Sequence, residues 1–157
     1  MTHERDQLFE NIQAPIKTIL LVEDETTIAE LLVQMISQET HYQVFSVPDA
    51  PQALDLVKNI KPALLILDYW LPGIHGIELY DRLHNIHGLE RVPAIMLSVH
   101  APVREIKQRH MTYIRKPFDM YKLLKAIDKL IAWQGNILLV KGKYQQWLAP
   151  RKMADFV

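Results

Sequence analysis

Carboxylates follow short apolar runs at two places in this sequence. Glu23, Asp24 and Glu25 come directly after Ile19-Leu20-Leu21-Val22, and Asp68 comes directly after Ala63-Leu64-Leu65-Ile66-Leu67. A hydroxyl residue, Ser98, follows Ala94-Ile95-Met96-Leu97, and Arg115-Lys116-Pro117 follows Met111-Thr112-Tyr113-Ile114. If Glu23, Asp24 and Asp68 converge, they repel one another unless a cation lies among them, and hard oxygen donors with open positions suit Mg2+. Lys116 and Ser98 across from them would complete a cradle for a phosphoryl group. A carboxylate at the centre of such a cradle is a candidate nucleophile, giving an aspartyl phosphate. Taken singly, each residue has an ordinary reading. Asp24 could cap the following helix, Asp68 could belong to a turn before Pro72-Gly73, and Lys116 could be a solvated loop lysine. Ser98 says little alone. The signal is the set, each at the end of an apolar run.

The elements that must position these residues follow from the pattern between them. The four runs, with Val44-Phe45-Ser46-Val47, are short and apolar on both faces, as strands of a covered parallel sheet are. Between them, Ile28, Leu31, Leu32, Met35 and Ile36 lie on one helix face, and Ala50, Ala53, Leu54 and Val57 on another, with Asp49 as N-cap. Ile77, Tyr80 and Leu83 mark a third helix, and Met120, Leu123, Leu124, Ile127, Leu130 and Ile131 a last one capped by Asp119. The helix between Leu97 and Met111 is weak, carried by Val103 and Ile106. Five βα repeats imply a doubly wound α/β sheet with helices on both faces. Ligands bind such sheets beyond the carboxyl ends of the strands, where Glu23, Asp24, Asp68, Ser98 and Lys116 stand.

The 157 residues suffice for one domain, and a hydrophobic content of 49% excludes general disorder. Without Cys there is no disulfide scaffold, Cys-ligated zinc or cysteine nucleophile. No apolar run approaches a membrane span, and the first residues do not read as a signal peptide, so a soluble cytoplasmic protein without membrane contact is expected. The zero net charge is unevenly spread. Residues 16–103 carry five basic residues against eleven acidic, residues 104–132 eight against three, and residues 133–157 four against one. A uniformly basic nucleic-acid binder is excluded, whereas an acidic protein partner fits residues 104–132.

The sequence resembles a response-regulator receiver domain, the phosphoacceptor half of two-component signalling. The resemblance rests on Leu21-Val22-Glu23-Asp24-Glu25, on Asp68-Tyr69-Trp70-Leu71-Pro72-Gly73 with Gly76, on Met96-Leu97-Ser98 and on Lys116-Pro117-Phe118. It covers residues 17–132, leaving 1–16 as an N-terminal extension and 133–157 as a tail with no separate output domain. It implies a flavodoxin-like five-stranded sheet in the order 2-1-3-4-5. It further implies that Asp68 accepts the phosphoryl group, and that Glu23, Asp24, Asp68 and the backbone carbonyl of Trp70 hold Mg2+. Ser98 and Lys116 would bind the phosphoryl oxygens, Tyr113 would be an aromatic switch, and Lys116-Pro117 would be cis. The implied donor is a histidine kinase or histidine phosphotransferase. The chain is then a phosphoacceptor rather than an enzyme, signalling through protein contacts on the 104–132 face, with homodimerisation left open.

The chain also departs from the family pattern. The Ser98–Lys116 interval is about one helical turn short, so the fourth helix should be truncated or irregular. Val99 should narrow access to the site, and the bulk of Trp70 and His100 points to slow exchange with water. His84 and His87 read as surface histidines at a helix end rather than as a metal pair. The tail is too short for a helix-turn-helix output unit, so direct DNA binding is not expected. Its apolar residues, Ile137-Leu138-Leu139-Val140 with Tyr144, Trp147 and Leu148, call for packing on the domain or on a partner, or else mark a linker stub. Alternatives to the phosphorylated receiver are a receiver-like interaction module that does not use phosphorylation, and a receiver fragment of a larger regulator.

Overall fold

The structure, a computed structural model, describes residues 15–132. The proposed N-terminal extension lies almost wholly outside that range, and the proposed tail entirely so. Ten elements alternate: β1 (Thr18–Val22), α1 (Thr26–Glu39), β2 (Gln43–Val47), α2 (Ala50–Leu56), β3 (Leu64–Leu67), α3 (Gly76–His84), β4 (Ala94–Ser98), α4 (Val103–Gln108), β5 (Thr112–Arg115) and α5 (Met120–Ala132). All strand pairs are parallel, in the order β2-β1-β3-β4-β5. This is the doubly wound sheet expected from the βα repeats.

Alternation along each strand divides the core into two layers. Ile19, Leu21, Leu64, Ile66, Ile95 and Leu97 point to one face and pack with α1 and α5. Leu20, Val22, Leu65, Leu67, Ala94 and Met96 point to the other and pack with α2, α3 and Ile106 of α4. β1, β3 and β4 are therefore buried on both sides. The two edge strands are not: β2 exposes Gln43 and Ser46, and β5 is only half-buried. The doubly covered reading of those two runs is corrected, because an edge strand has a neighbour on one side only.

The caps explain where several helices start. Asp49 accepts from the Gln52 backbone N–H at 2.9 Å, and Asp119 does the same for Lys122 at 3.0 Å. Asp24 caps nothing. Glu25 occupies the N-cap position of α1 and makes no side-chain cap bond, so Asp24 is free for other use.

The fourth helix is short, as the spacing foretold: α4 has 6 residues, and it ends where His110 adopts a φ of 56°. Only Ile106 anchors it in the core, while Val103, expected to share that role, is exposed. Polar contacts to α3 supply the rest. Arg109 grips Asp81 through two nitrogens at 2.7 and 2.8 Å, and the Tyr80 hydroxyl donates to the Arg109 carbonyl at 3.2 Å. His84 is half-buried, with ring nitrogens 2.9 Å from the Tyr80 carbonyl and 2.8 Å from that of Val92, while His87 is exposed beside Glu90. His84 is thus a half-buried bridging residue at the end of α3, which corrects its reading as a surface histidine. The Asp81 side chain is 46% exposed, so solvent screening limits the clasp to about 1 kcal/mol. Asp81→Ala should lower unfolding stability by that amount in a urea titration at neutral pH. The hydrogen bond from Arg109 holds the Asp81 carboxyl below its ordinary value. Its contribution is therefore present above the carboxylate range and lost as pH falls through the folded value, and the deficit should vanish in acid. An unchanged urea midpoint at neutral pH would show that the clasp contributes nothing.

Candidate functional site

Backbone hydrogen bonds carry the sheet ladder one step past the strand ends and fix the residues that matter. Glu23 N–H donates to the Val47 carbonyl at 3.1 Å, Asp68 N–H to Val22 at 3.0 Å, and Lys116 N–H to Ser98 at 3.0 Å. Residues separated by as many as 93 positions are thereby set at one edge of one sheet. There Lys116 Nζ lies 2.6 Å from Glu23 Oε2 and 3.2 Å from Asp68 Oδ2. All three side chains are nearly sealed from solvent, whereas Asp24 beside them is exposed. One carboxylate oxygen each from Glu23, Asp24 and Asp68 lies within 4.8 Å of the others. The remaining oxygens are oriented by the backbone: Asp68 Oδ1 accepts from Trp70 N–H at 3.1 Å and Glu23 Oε1 from Glu25 N–H at 3.1 Å.

Electrostatics at this edge are tightly balanced. Burial pushes the Glu23 carboxyl up and the Asp68 charge adds to the rise, while the hydrogen bond and charge of Lys116 oppose it; the net shift is upward. Burial pulls Lys116 down, but the hydrogen bond and charge of Glu23, with the charge of Asp68, outweigh it and leave the ammonium raised. The buried lysine is thus charged between two carboxylates, and a third, Asp24, opens to solvent. An all-oxygen set with one exposed member fits a hard divalent cation that keeps several waters, as Mg2+ does. An open groove of about 440 Å³ leads from Glu23 and Asp24 along α1 past Ala29 and Val33 to Val47 and Pro48.

The other proposed site residues border this edge. Ser98 is buried at the end of β4, its hydroxyl donating to the His100 carbonyl at 3.3 Å. Tyr113 of β5 is half-buried, its hydroxyl within reach of the Ser98 and Val99 carbonyls at 3.2 and 3.3 Å. It therefore rests against the β4–α4 loop. The Lys116-Pro117 bond is cis. Between β3 and α3, Gly73 takes a φ of +84°, which a glycine adopts without strain.

Gly76 serves a purpose that its place in the motif did not disclose. Its N–H donates to the Tyr69 carbonyl at 2.8 Å, and a Cβ there would run into the Asp68 carbonyl and Tyr69 Cα. The obstruction is backbone, so nothing flexible can yield. Gly76→Ala should cost about 3 kcal/mol despite the better helix propensity of alanine. Thermal unfolding checks this, and a stabilised variant would show that the loop can shift. Also absent from the sequence reading were the direct Lys116–Glu23 pair and the bond from the Trp70 indole to the His100 carbonyl, 3.0 Å. Neither has a local signal, because each joins separate loops.

The chain is similar to known proteins in both sequence and fold. A family model described as the response regulator receiver domain matches residues 19–128. The chain is 31% identical over 122 residues to sporulation initiation phosphotransferase F of Bacillus subtilis (strain 168), covering 75% of this chain and 96% of that protein. It is 30% identical over 123 residues to the phosphate regulon transcriptional regulatory protein PhoB of Pseudomonas aeruginosa, covering 76% of this chain but 53% of that one. With the nitrogen assimilation regulatory protein NtrX of Azorhizobium caulinodans it spans only 26% of the relative. Among solved structures, a receiver domain protein (CheY-like) from Methanospirillum hungatei superposes with a TM-score of 0.70 at 27% identity, covering 76% of this chain and 97% of that one. The chemotaxis response regulator CheY4 of Vibrio cholerae, at 21% identity and a TM-score of 0.68 over 74% of this chain and 99% of its own, shares the fold. Among the described residues no helix is long and apolar enough to cross a membrane.

Proposed function

The chain belongs to the response regulator receiver domain family of two-component signalling, and on that premise we propose that Asp68 accepts a phosphoryl group from a phosphohistidine donor on a histidine kinase or histidine phosphotransferase. One observation carries this reading: a buried aspartate at the carboxyl end of β3 is held against a buried lysine, with two further carboxylates within 4.8 Å. An oxygen of Asp68 attacks phosphorus, the phosphorus–nitrogen bond breaks, and the departing imidazole keeps its bonding pair and takes up a proton. Glu23, Asp24, Asp68 and the Trp70 carbonyl would hold Mg2+, which supplies charge compensation at the phosphoryl oxygens. Lys116 then pairs with the new phosphoryl group. Ser98 gives up its bond to the His100 carbonyl to donate to a phosphoryl oxygen. Because Tyr113 is bonded to the carbonyls of Ser98 and Val99, movement of that loop reaches β5 directly.

In this reading the protein is a cytoplasmic phosphoacceptor that signals to a protein target through residues 104–132. The 6-residue α4 favours a second reading, an interaction module on the same fold that does not use phosphorylation. One measurement separates them. Incubated with acetyl phosphate, the chain should gain one phosphoryl group by intact-mass spectrometry with Mg2+ present and none with the ion chelated. Absence of uptake under both conditions, with folding intact by circular dichroism, would leave the interaction module.

A further inference from the structure

The amino ends of β3 and β4 lie at the edge of the sheet opposite Asp68, and the loops that lead into them frame a second recess. Lys61 and Pro62 precede β3, and Gly88, Glu90, Arg91 and Val92 precede β4; together they line an open hollow of about 700 Å³. Pro62 and Val92 are buried and make its inner wall apolar, while Lys61 and Arg91 are exposed. Lys61 reaches across to the loop before β4, with Nζ 3.6 Å from where a Cβ would sit on Gly88. The carboxylate in the lining is engaged within its own loop: Glu90 accepts from Gly88 N–H at 2.8 Å and lies 3.5 Å from His87 Nδ1. Neither Lys61 nor Arg91 makes an ion pair among the described residues. Two cations without a counter-charge, set over an apolar wall, suit an occupant that carries both carboxylates and apolar side chains.

The chain itself carries such a segment and delivers it to this edge. Thr18 opens β1 beside the recess: its hydroxyl donates to the Lys61 carbonyl at 3.3 Å, and its carbonyl accepts from Ala63 N–H at 2.8 Å. Ile16, two residues earlier, is an apolar side chain left 69% exposed. Before it, residues 1–14 hold Glu4, Asp6 and Glu10 against Arg5, together with Leu8, Phe9 and Ile12. Glu4, Asp6, Leu8, Glu10 and Ile12 alternate along the chain, so an extended stretch would present acids and apolar groups on one face. The stretch from Ile12 to Thr18 can span up to about 20 Å. That is about twice the 10 Å between β1 and β4 across the intervening β3. Residues 133–157, with four basic residues against one acidic, have the wrong sign for this recess. A tethered segment also acts at a local concentration in roughly the millimolar range, which a free anion or a second copy must match. We propose that residues 6–12 dock in this recess, with Leu8 and Ile12 against Pro62 and Val92 and Glu10 paired with Lys61 and Arg91. The segment then straps β1 to the loops before β3 and β4, at the edge of the sheet that the phosphoacceptor chemistry does not use.

The absence of Cys makes the test direct, because Gln7→Cys gives the full chain a single thiol for a nitroxide spin label. In the isotopically labelled protein, the amides of Gly88, Arg91 and Val92 should lose most of their NMR intensity, and regain it when the nitroxide is reduced. Adding L8S/E10K to the labelled chain should abolish the loss, and so should K61E/R91E. Combining E10K with K61E/R91E reverses both partners and should bring the broadening back, a rescue that a merely damaged fold would not give. Mixing spin-labelled chain with isotopically labelled chain that lacks the nitroxide should leave these amides sharp. Broadening in that mixture would make a second copy the occupant and overturn the proposal. So would broadening confined to another face, or broadening at the recess that survives K61E/R91E.

Discussion

Asp68→Asn should take up no phosphoryl group from acetyl phosphate or phosphoramidate at any Mg2+ concentration, where the parent chain gains one. The substitution is nearly isosteric. The amide oxygen can still accept from the Trp70 N–H now bonded to Asp68 Oδ1 at 3.1 Å, so the β3–α3 loop keeps its anchor. What disappears is the nucleophile, because the amide carries no negative charge to attack phosphorus, and one anionic donor for the cation. Removing the carboxylate eases repulsion with Glu23 but takes one acceptor from Lys116, which keeps its 2.6 Å pair with Glu23, so the variant should stay folded by circular dichroism. The loss of uptake is then chemical rather than structural. Intact-mass measurement with and without Mg2+ checks it. Parent-level labelling of Asp68→Asn would remove the residue from its assigned role and leave the second reading in place.

Lys116→Met should destabilise the fold by about 3 kcal/mol at neutral pH without divalent cation. The side chain fills similar volume, but two buried carboxylates lose the ammonium that lies 2.6 Å from one and 3.2 Å from the other. Breaking a buried pair from one side strands a charge where water cannot reach it, which costs far more than an exposed pair contributes. Two conditions should repair the deficit. Saturating Mg2+ should restore much of it, because a cation bound only by the folded state stabilises that state by mass action. Acid should restore part of it as well. Burial already raises the Glu23 carboxyl, and the opposing pull of Lys116 is absent in the variant. A group with a raised folded pKa favours the folded state below its unfolded value and loses that contribution as pH rises through the folded value. The gap between parent and variant should therefore narrow as pH falls toward the carboxylate range. Urea midpoints across pH, with and without Mg2+, give the answer; a variant as stable as the parent in chelator would mean that water reaches Glu23 and Asp68 after all.

Much of this architecture was legible in the chain because its cues are local. Apolar runs of four or five residues spaced by helical periodicity specify parallel strands with covering helices, and the short stretch from Ser98 to Lys116 leaves room for only a stunted α4. Asp49 and Asp119 announce the helices they cap. The candidate site was legible for a topological reason: in an open parallel sheet every strand points its carboxyl end to the same edge, so residues just past β1, β3, β4 and β5 must gather there. Where the cues were not local, the reading stopped. Val103 fits the helix face that Ile106 buries, yet α4 is tethered through Arg109 to Asp81 and Tyr80 and leaves Val103 in solvent.

By itself, then, the sequence determined which residues stand at the edge, their chemical types and the succession along the chain of the strands that carry them. Residue type and strand spacing are properties of the chain, and parallel topology turns them into proximity. Only the tertiary structure decided the pairings. Lys116 lies on Glu23 as well as Asp68, Asp24 is left open to solvent rather than capping α1, Gly76 lets the Asp68 backbone pass close, and Trp70 reaches His100 across the site. Each joins side chains or backbones from different loops at distances of a few ångströms. Such contacts depend on loop path and side-chain rotamer, and neither is encoded by spacing along a single element.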